Sequence, residues 1–141
     1  MSKTPALVEP QDTETLTTVK EIYSEAVLYT LFDRSNKTHF DSTVPLCRIK
    51  WSDRIGTGKN YHRYADFTVF QDPQFMPVIR LSKNLLAEES LERISEVLFH
   101  EMTHIWLWNN KRPWGHTPEF HEKVKTFDVS KLQLATVEAN S

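Results

Sequence analysis

His100-Glu101-Met102-Thr103-His104 decides how the chain is read. An α-helix turns about 100° per residue, so His104 lies about 40° round from His100 and one turn along, with Glu101 about 100° round. All three side chains therefore leave one side of a helix. Two imidazoles at this spacing can hold one Zn²⁺ at about 2.0–2.1 Å, and Glu101 can reach a water on that ion. The chemistry demands these residue types. The histidines must be neutral nitrogen donors, and the glutamate must stay off the metal so that it can take a proton.

The flanks agree with a helix. Glu88-Glu89-Ser90 precedes Leu91, Ile94, Val97, Leu98, Met102 and Ile105, a helical apolar series with acids at its positive end. Asn109-Asn110 and Lys111-Arg112-Pro113 stop it. A catalytic zinc site needs a third protein ligand. His116 is the first candidate, because the preceding Gly115 lets the chain reverse toward the helix. Thr117-Pro118-Glu119 then opens another helix, with Thr as N-cap and Pro at the first helical position. His121, inside that helix, and Glu119 are rivals for the third place, and His116 is ranked ahead of both.

These motifs carry a resemblance. His100-Glu101-Met102-Thr103-His104 followed by Gly115-His116-Thr117-Pro118-Glu119-Phe120 resembles the SprT-like metallopeptidases, the family that includes Spartan. Ile49-Lys50-Trp51-Ser52-Asp53-Arg54 is similar to the family's strand ending in Trp and Arg. Ile79-Arg80-Leu81-Ser82 with Leu85-Leu86 is similar to its strand before the active-site helix. The resemblance covers roughly residues 15–128, and the paired zinc motifs are its specific part. It implies a zincin-like α+β domain, His100, His104 and His116 as zinc ligands, and Glu101 as the catalytic glutamate. It also implies proteolysis of proteins on DNA, including DNA–protein crosslinks in the Spartan branch.

Composition sets bounds. A chain of 141 residues, 39% hydrophobic and 11% aromatic, fits one domain with a real core. Cys47 is the one cysteine, so no disulfide and no four-cysteine zinc ribbon can form within this sequence. No apolar run approaches the ~20 residues of a membrane span, and the first 14 residues lack a signal-peptide core. An intracellular, cytoplasmic monomer is expected, without membrane contact.

In order along the chain, residues 1–13 read as a mobile leader and residues 14–130 as the peptidase domain. Leu16, Val19, Ile22, Tyr23, Ala26, Val27 and Leu31 predict a core-packing helix over residues 15–32. Residues 33–43 read as a polar turn, with His39 a solvated loop residue. Near-alternation predicts strands over 44–55, 64–70 and 78–82, forming a small antiparallel sheet of about three strands. Cys47 falls on the apolar face of the first. Gly56-Thr57-Gly58-Lys59-Asn60 breaks that strand without being a phosphate loop. Phe120, Val124 and Phe127 predict that a last helix packs back on the domain, and residues 131–141 give no firm signal.

The function expected is zinc-dependent endopeptidase, with a protein or peptide as substrate and Glu101 as general base. An extended substrate can add to a free sheet edge beside the zinc helix. The strand over 78–82 would serve if it were that edge, and selectivity would then be low. Within a formal net charge of −2, Arg48, Lys50, Arg54, Lys59 and Arg63 stand against Asp53 alone, interleaved with Trp51, Tyr61, His62 and Tyr64. Cations among stacking rings suit single-stranded DNA. Lys111 and Arg112, with Trp114, form a smaller candidate near the metal. Two other readings compete: a catalytically silent zinc-binding module, and a protein-turnover metallopeptidase with no DNA role.

Overall fold

The computed structural model describes residues 24–56, 63–88 and 90–139. The leader expected over 1–13, the first part of the helix expected from residue 15, and Thr57 to His62 with Lys59 lie outside them. Helix α1, Glu25–Phe40, begins at the N-cap Ser24, whose Oγ accepts from the Val27 N–H. It runs through residues 33–40, where a turn was expected. Leu28, Leu31, Phe32, Ser35 and Phe40 are buried along one face, so the polar residues there are the outer face of a helix and not a turn. The chain leaves the helix at Asp41 and Ser42, both with positive φ. His39 is correspondingly not a solvated loop residue. Its ring packs on Phe99 and Phe127, and its Nε2 accepts from the Asp128 N–H at 3.0 Å.

The three predicted strands form, as β1 Arg48–Ser52, β2 Ala65–Thr68 and β3 Val78–Ser82. Their order is β1-β3-β2. The antiparallel expectation holds for β2 and β3, but β1 and β3 are parallel, so the sheet is mixed. Alternation tells which residues share a face; it does not tell which strand is the neighbour or in which direction it runs. The face shared by Ile49, Phe67, Ile79 and Leu81 packs on the helices, and Cys47 is buried just ahead of β1. Gly56, at φ 85°, ends the excursion after β1. A Cβ there would lie 2.4 Å from Asn84 Nδ2 and 2.8 Å from Ser82 Oγ, the two groups that tie this loop to the end of β3.

The two edges of this sheet differ. On β1, the Arg48 N–H points inward to the Pro77 carbonyl, while the Ile49 N–H donates to Tyr29 Oη at 2.9 Å and the Trp51 N–H to Glu25 Oε2 at 3.2 Å. Helix α1 thus caps the outward donors of β1. On β2, no strand pairs with the outer edge among the described residues. Tyr64 accepts from the Ser82 N–H, and Asp66 lies opposite Arg80. The alternation of an antiparallel ladder then turns the N–H and C=O of Ala65 and Phe67 outward. Tyr29→Phe should cost about 1–2 kcal/mol in chemical denaturation by orphaning the Ile49 donor; no change in the midpoint would mean the cap contributes nothing.

Helix α2, Leu91–Asn109, starts at Ser90, whose Oγ accepts from the Arg93 N–H, and ends at Asn110, as predicted. Helix α3, Pro118–Val124, is capped by Thr117 Oγ1 accepting from the Phe120 N–H. The stretch without a sequence signal forms a 3-10 turn, Val129–Leu132, and helix α4, Leu134–Ala139, both too short to show a period. Arg34 clamps them by donating to the carbonyls of Leu132 and Gln133 and to Thr136 Oγ1. Among the described residues no helix is long and apolar enough to cross a membrane.

Candidate metal centre

Helix α2 sets His100 and His104 one turn apart, with ring centroids 5.1 Å from each other. The turn after α2 passes through Lys111 at φ 60° and brings back Trp114 and His116. His104 Nδ1 lies 2.7 Å from the Trp114 carbonyl oxygen. That oxygen can only accept, so Nδ1 carries the proton and Nε2 presents its lone pair. His116 reaches the other two rings at centroid distances of 5.5 and 4.9 Å. One ring nitrogen from each of His100, His104 and His116 lies within 4.8 Å of the other two, a group that can hold a metal ion. The rivals are not in that group: Glu119 accepts from Arg112 Nε at 2.7 Å, and the exposed His121 stacks beside His116 with its ring 6.3 Å away.

Aromatic rings fix the histidines. Phe120 lies under all three, stacked on His104 at 4.3 Å and edge-on to His100 and His116 at 4.8 and 5.0 Å. Phe67 of β2 stacks on His104 at 4.8 Å, and Trp114 meets Phe67 edge-on. His104 is therefore held between a strand residue and a helix residue. Sequence reading assigned Phe120 to packing and missed Phe67 as a support; a lone Phe in an alternating strand carries no such signal.

The electrostatics fit a cation bound by neutral imidazoles. Burial, then the charges of the neighbouring histidines, pushes His100 down to about 4. Burial also lowers His104, against the opposing pull of the Trp114 carbonyl. Glu101 is buried at 7% exposure, beside the triad on α2. Desolvation raises its carboxyl to about 8, with Asp66 adding to the rise and Arg63 opposing it. A divalent cation nearby would favour the carboxylate again. Three imidazole nitrogen donors, one with its second nitrogen already anchored on a carbonyl, are a donor set that would suit a metal ion such as Zn²⁺.

These shifts set a pH signature for the metal-free protein. Glu101 is raised in the folded state, so its contribution is complete below about 4.5 and is lost as pH rises through about 8. His100 is depressed, so its contribution is complete above 6.5 and is lost as pH falls through about 4. Between pH 6.5 and 8 the Glu101 slope should operate while that of His100 is already spent. At about 1.4 kcal/mol per unit, Glu101→Gln should abolish a decline on the order of a few kcal/mol. Thermal unfolding of chelator-treated protein at both pH values checks this; equal slopes for wild type and variant would contradict it.

The basic candidates come from several elements. Arg48 and Lys50 share the sheet face turned away from α2, with Arg80, which forms a bidentate pair with Asp66. Arg54 is exposed in the loop after β1, with its N–H on Ser52 Oγ, and Lys59 lies outside the described residues. Arg63 lines the cleft of about 380 Å³ that also holds Glu101 and the three histidines. Lys111 is exposed past the end of α2, and Arg112 is paired with Glu119.

Fold and site together define an α+β protein with a metal-competent histidine triad between a helix and strand β2, whose outer edge is unpaired among the described residues. The SprT-like family profile matches residues 28–138, and the chain belongs to that family, a zincin-like metallopeptidase family. No curated protein matches the chain.

Proposed function

We propose that this protein is a zinc-dependent endopeptidase in which His100, His104 and His116 hold the metal and Glu101 is the general base. One observation carries the reading: a buried carboxyl and three converging imidazoles line a single cleft beside β2, whose outer edge no strand pairs among the described residues. When bound, zinc supplies a Lewis acid that acidifies water and polarises a peptide carbonyl. Glu101 takes the proton from the attacking water and hands it to the departing amine, so no covalent enzyme intermediate forms. His104, fixed by Trp114, Phe67 and Phe120, keeps its donor atom aimed. Asp66 and Arg63 adjust how readily Glu101 gives up its proton.

The substrate lies along β2. The strand over 78–82, considered as an edge from sequence, is β3 and central, hence closed to addition. The β1 edge is capped by Tyr29 and Glu25. The outward N–H and C=O groups of Ala65 and Phe67 bind the substrate main chain, so backbone contacts provide much of the affinity. Ala65→Pro removes one outward donor at an edge position where proline is tolerated. It should raise KM about tenfold with kcat little changed and the circular dichroism spectrum retained, roughly 1.4 kcal/mol of lost binding. An unchanged KM would exclude this mode of binding.

The DNA-directed function is proposed from the basic residues of the 48–64 segment and the position of Arg63 in the metal cleft. Cleavage of unfolded casein and of histone by zinc-loaded protein, each with and without single-stranded DNA, tests the whole reading. Cleavage stimulated by DNA and lost on charge reversal at Lys59 and Arg63 supports a DNA role. Cleavage indifferent to DNA leaves a general protein-turnover peptidase. No cleavage of either protein leaves the silent zinc-binding module.

A further inference from the structure

His39 is a titratable ring that the metal site does not use. It stands in the last turn of α1, and its Nε2 accepts from the Asp128 N–H at 3.0 Å. An imidazole nitrogen accepts only when it carries no proton, so the proton of the neutral ring sits on Nδ1. Nδ1 is buried, with no hydrogen-bond partner among the described residues. Two more buried polar atoms are in the same state: Ser35 Oγ, one turn before His39 on α1, and Ser95 Oγ, one turn before Phe99 on α2. Rings hold the imidazole instead, Phe99 edge-on at 5.1 Å and Phe127 stacked at 5.5 Å. Phe127 and Asp128 lead from α3 into the 3-10 turn Val129–Leu132. One bond to an unprotonated nitrogen thus fastens the entry to the C-terminal segment.

We propose that His39 is a proton-operated latch: the neutral ring holds Phe127 and Asp128 against α1 and α2, and a proton on Nε2 releases them. A protonated imidazole has two N–H donors and no acceptor. Its Nε2–H would face the Asp128 N–H, donor against donor, so the proton enters only as this contact opens. The surroundings of the ring act in the same direction. Burial, then Lys123 and Lys131, hold its pKa below the ordinary 6.5, against the opposing pull of Asp128. Lys123 comes from α3, with Nζ donating to the His39 carbonyl, and Asp41, just past α1, acts on Lys123. Helix α2 presents the uncharged Phe99. The released ring returns toward 6.5, so the closed form is fully favoured above 6.5 and loses its advantage as pH falls through the lowered value. Arg34 stays charged and keeps donating to Leu132, Gln133 and Thr136, which confines the opening to the residues ahead of that clamp. The opening still reaches the metal centre, because Phe127 lines a cleft that shares His100 and Glu101 with it. The latch does not depend on the endopeptidase reading.

Two measurements on the full chain test this, both without metal so that loss of an ion adds nothing. Nitrogen-15 spectra of the His39 ring at about pH 7.5 should show Nδ1 protonated and Nε2 bare. The opposite tautomer overturns the proposal. Amide hydrogen exchange, corrected for the intrinsic rate, should show the protection of the Asp128 N–H falling about three- to tenfold for each pH unit below 6.5. His39→Gln offers a carboxamide oxygen that accepts without titrating, so its Asp128 protection should stay nearly constant over the same range. His100, which titrates at about 4, is common to both proteins and cancels in the comparison. Wild-type protection that is flat in pH, or an equal fall in His39→Gln, overturns the proposal. Should the Gln variant not fold, the tautomer and the wild-type slope decide between them.

Discussion

Glu101→Gln will leave the protein folded and able to bind zinc, and will lower kcat/KM on a peptide by about a thousandfold or more. General acid–base groups typically contribute ~10²–10⁴ in rate, and here one residue serves for both the attack and the departure of the amine. A thousandfold is about 4 kcal/mol of transition-state stabilisation. Gln has nearly the shape of Glu, so the 7%-exposed position stays filled. What is lost is the capacity to accept a proton. The fall should lie in kcat, because a proton-transfer group acts in the transition state and not in substrate binding. Zinc content should be unchanged, since the carboxylate lies outside the histidine cluster. A variant within tenfold of wild type would exclude Glu101 as the base. A variant that is inactive because it has lost zinc would recast Glu101 as a ligand.

His116→Ala should remove zinc binding at physiological concentrations, with affinity down by more than about a hundredfold. Substituting a residue that only orients a ligand already costs ~10–100-fold. His116 is exposed, in a turn held by Trp114 and by the Thr117 cap rather than by its own ring. The metal-free variant should therefore unfold within about 0.5 kcal/mol of the metal-free wild type. The two should diverge when zinc is added. Wild type gains stability as RT ln(1 + [Zn]/Kd), about 2.7 kcal/mol at a hundred times Kd, and the variant gains almost none. Equal stabilisation of both by zinc would remove His116 from the site and reopen the case for His121.

The helix of the metal site was legible because one local rule, helical spacing, governs both its apolar face and its histidine pair. The start of the next helix was legible from the Thr117-Pro118 cap, but the left-handed residue of the turn is Lys111 and not Gly115, whose Cβ position is open. The second half of α1 was misread because Asp33, Arg34, Asn36 and Lys37 look like a turn until Ser35 and Phe40 are known to be buried. The direction of β1 relative to β3 depends on the path between strands, which alternation does not encode. Asp66, Arg63 and Phe67 come to the triad only through the pairing of β2 with β3. A cleft of about 470 Å³ that shares His100 and Glu101 with the metal site joins Arg93 and Val97 of one helix to Val124 and Phe127, so no local pattern could announce it.

Zinc K-edge X-ray absorption on stoichiometrically loaded wild-type protein at neutral pH is the most direct measurement. Three imidazole nitrogens and one further light ligand at about 2.0–2.1 Å would match the arrangement described. A shell dominated by carboxylate oxygens, a sulfur at about 2.3 Å, or only two imidazoles would contradict it.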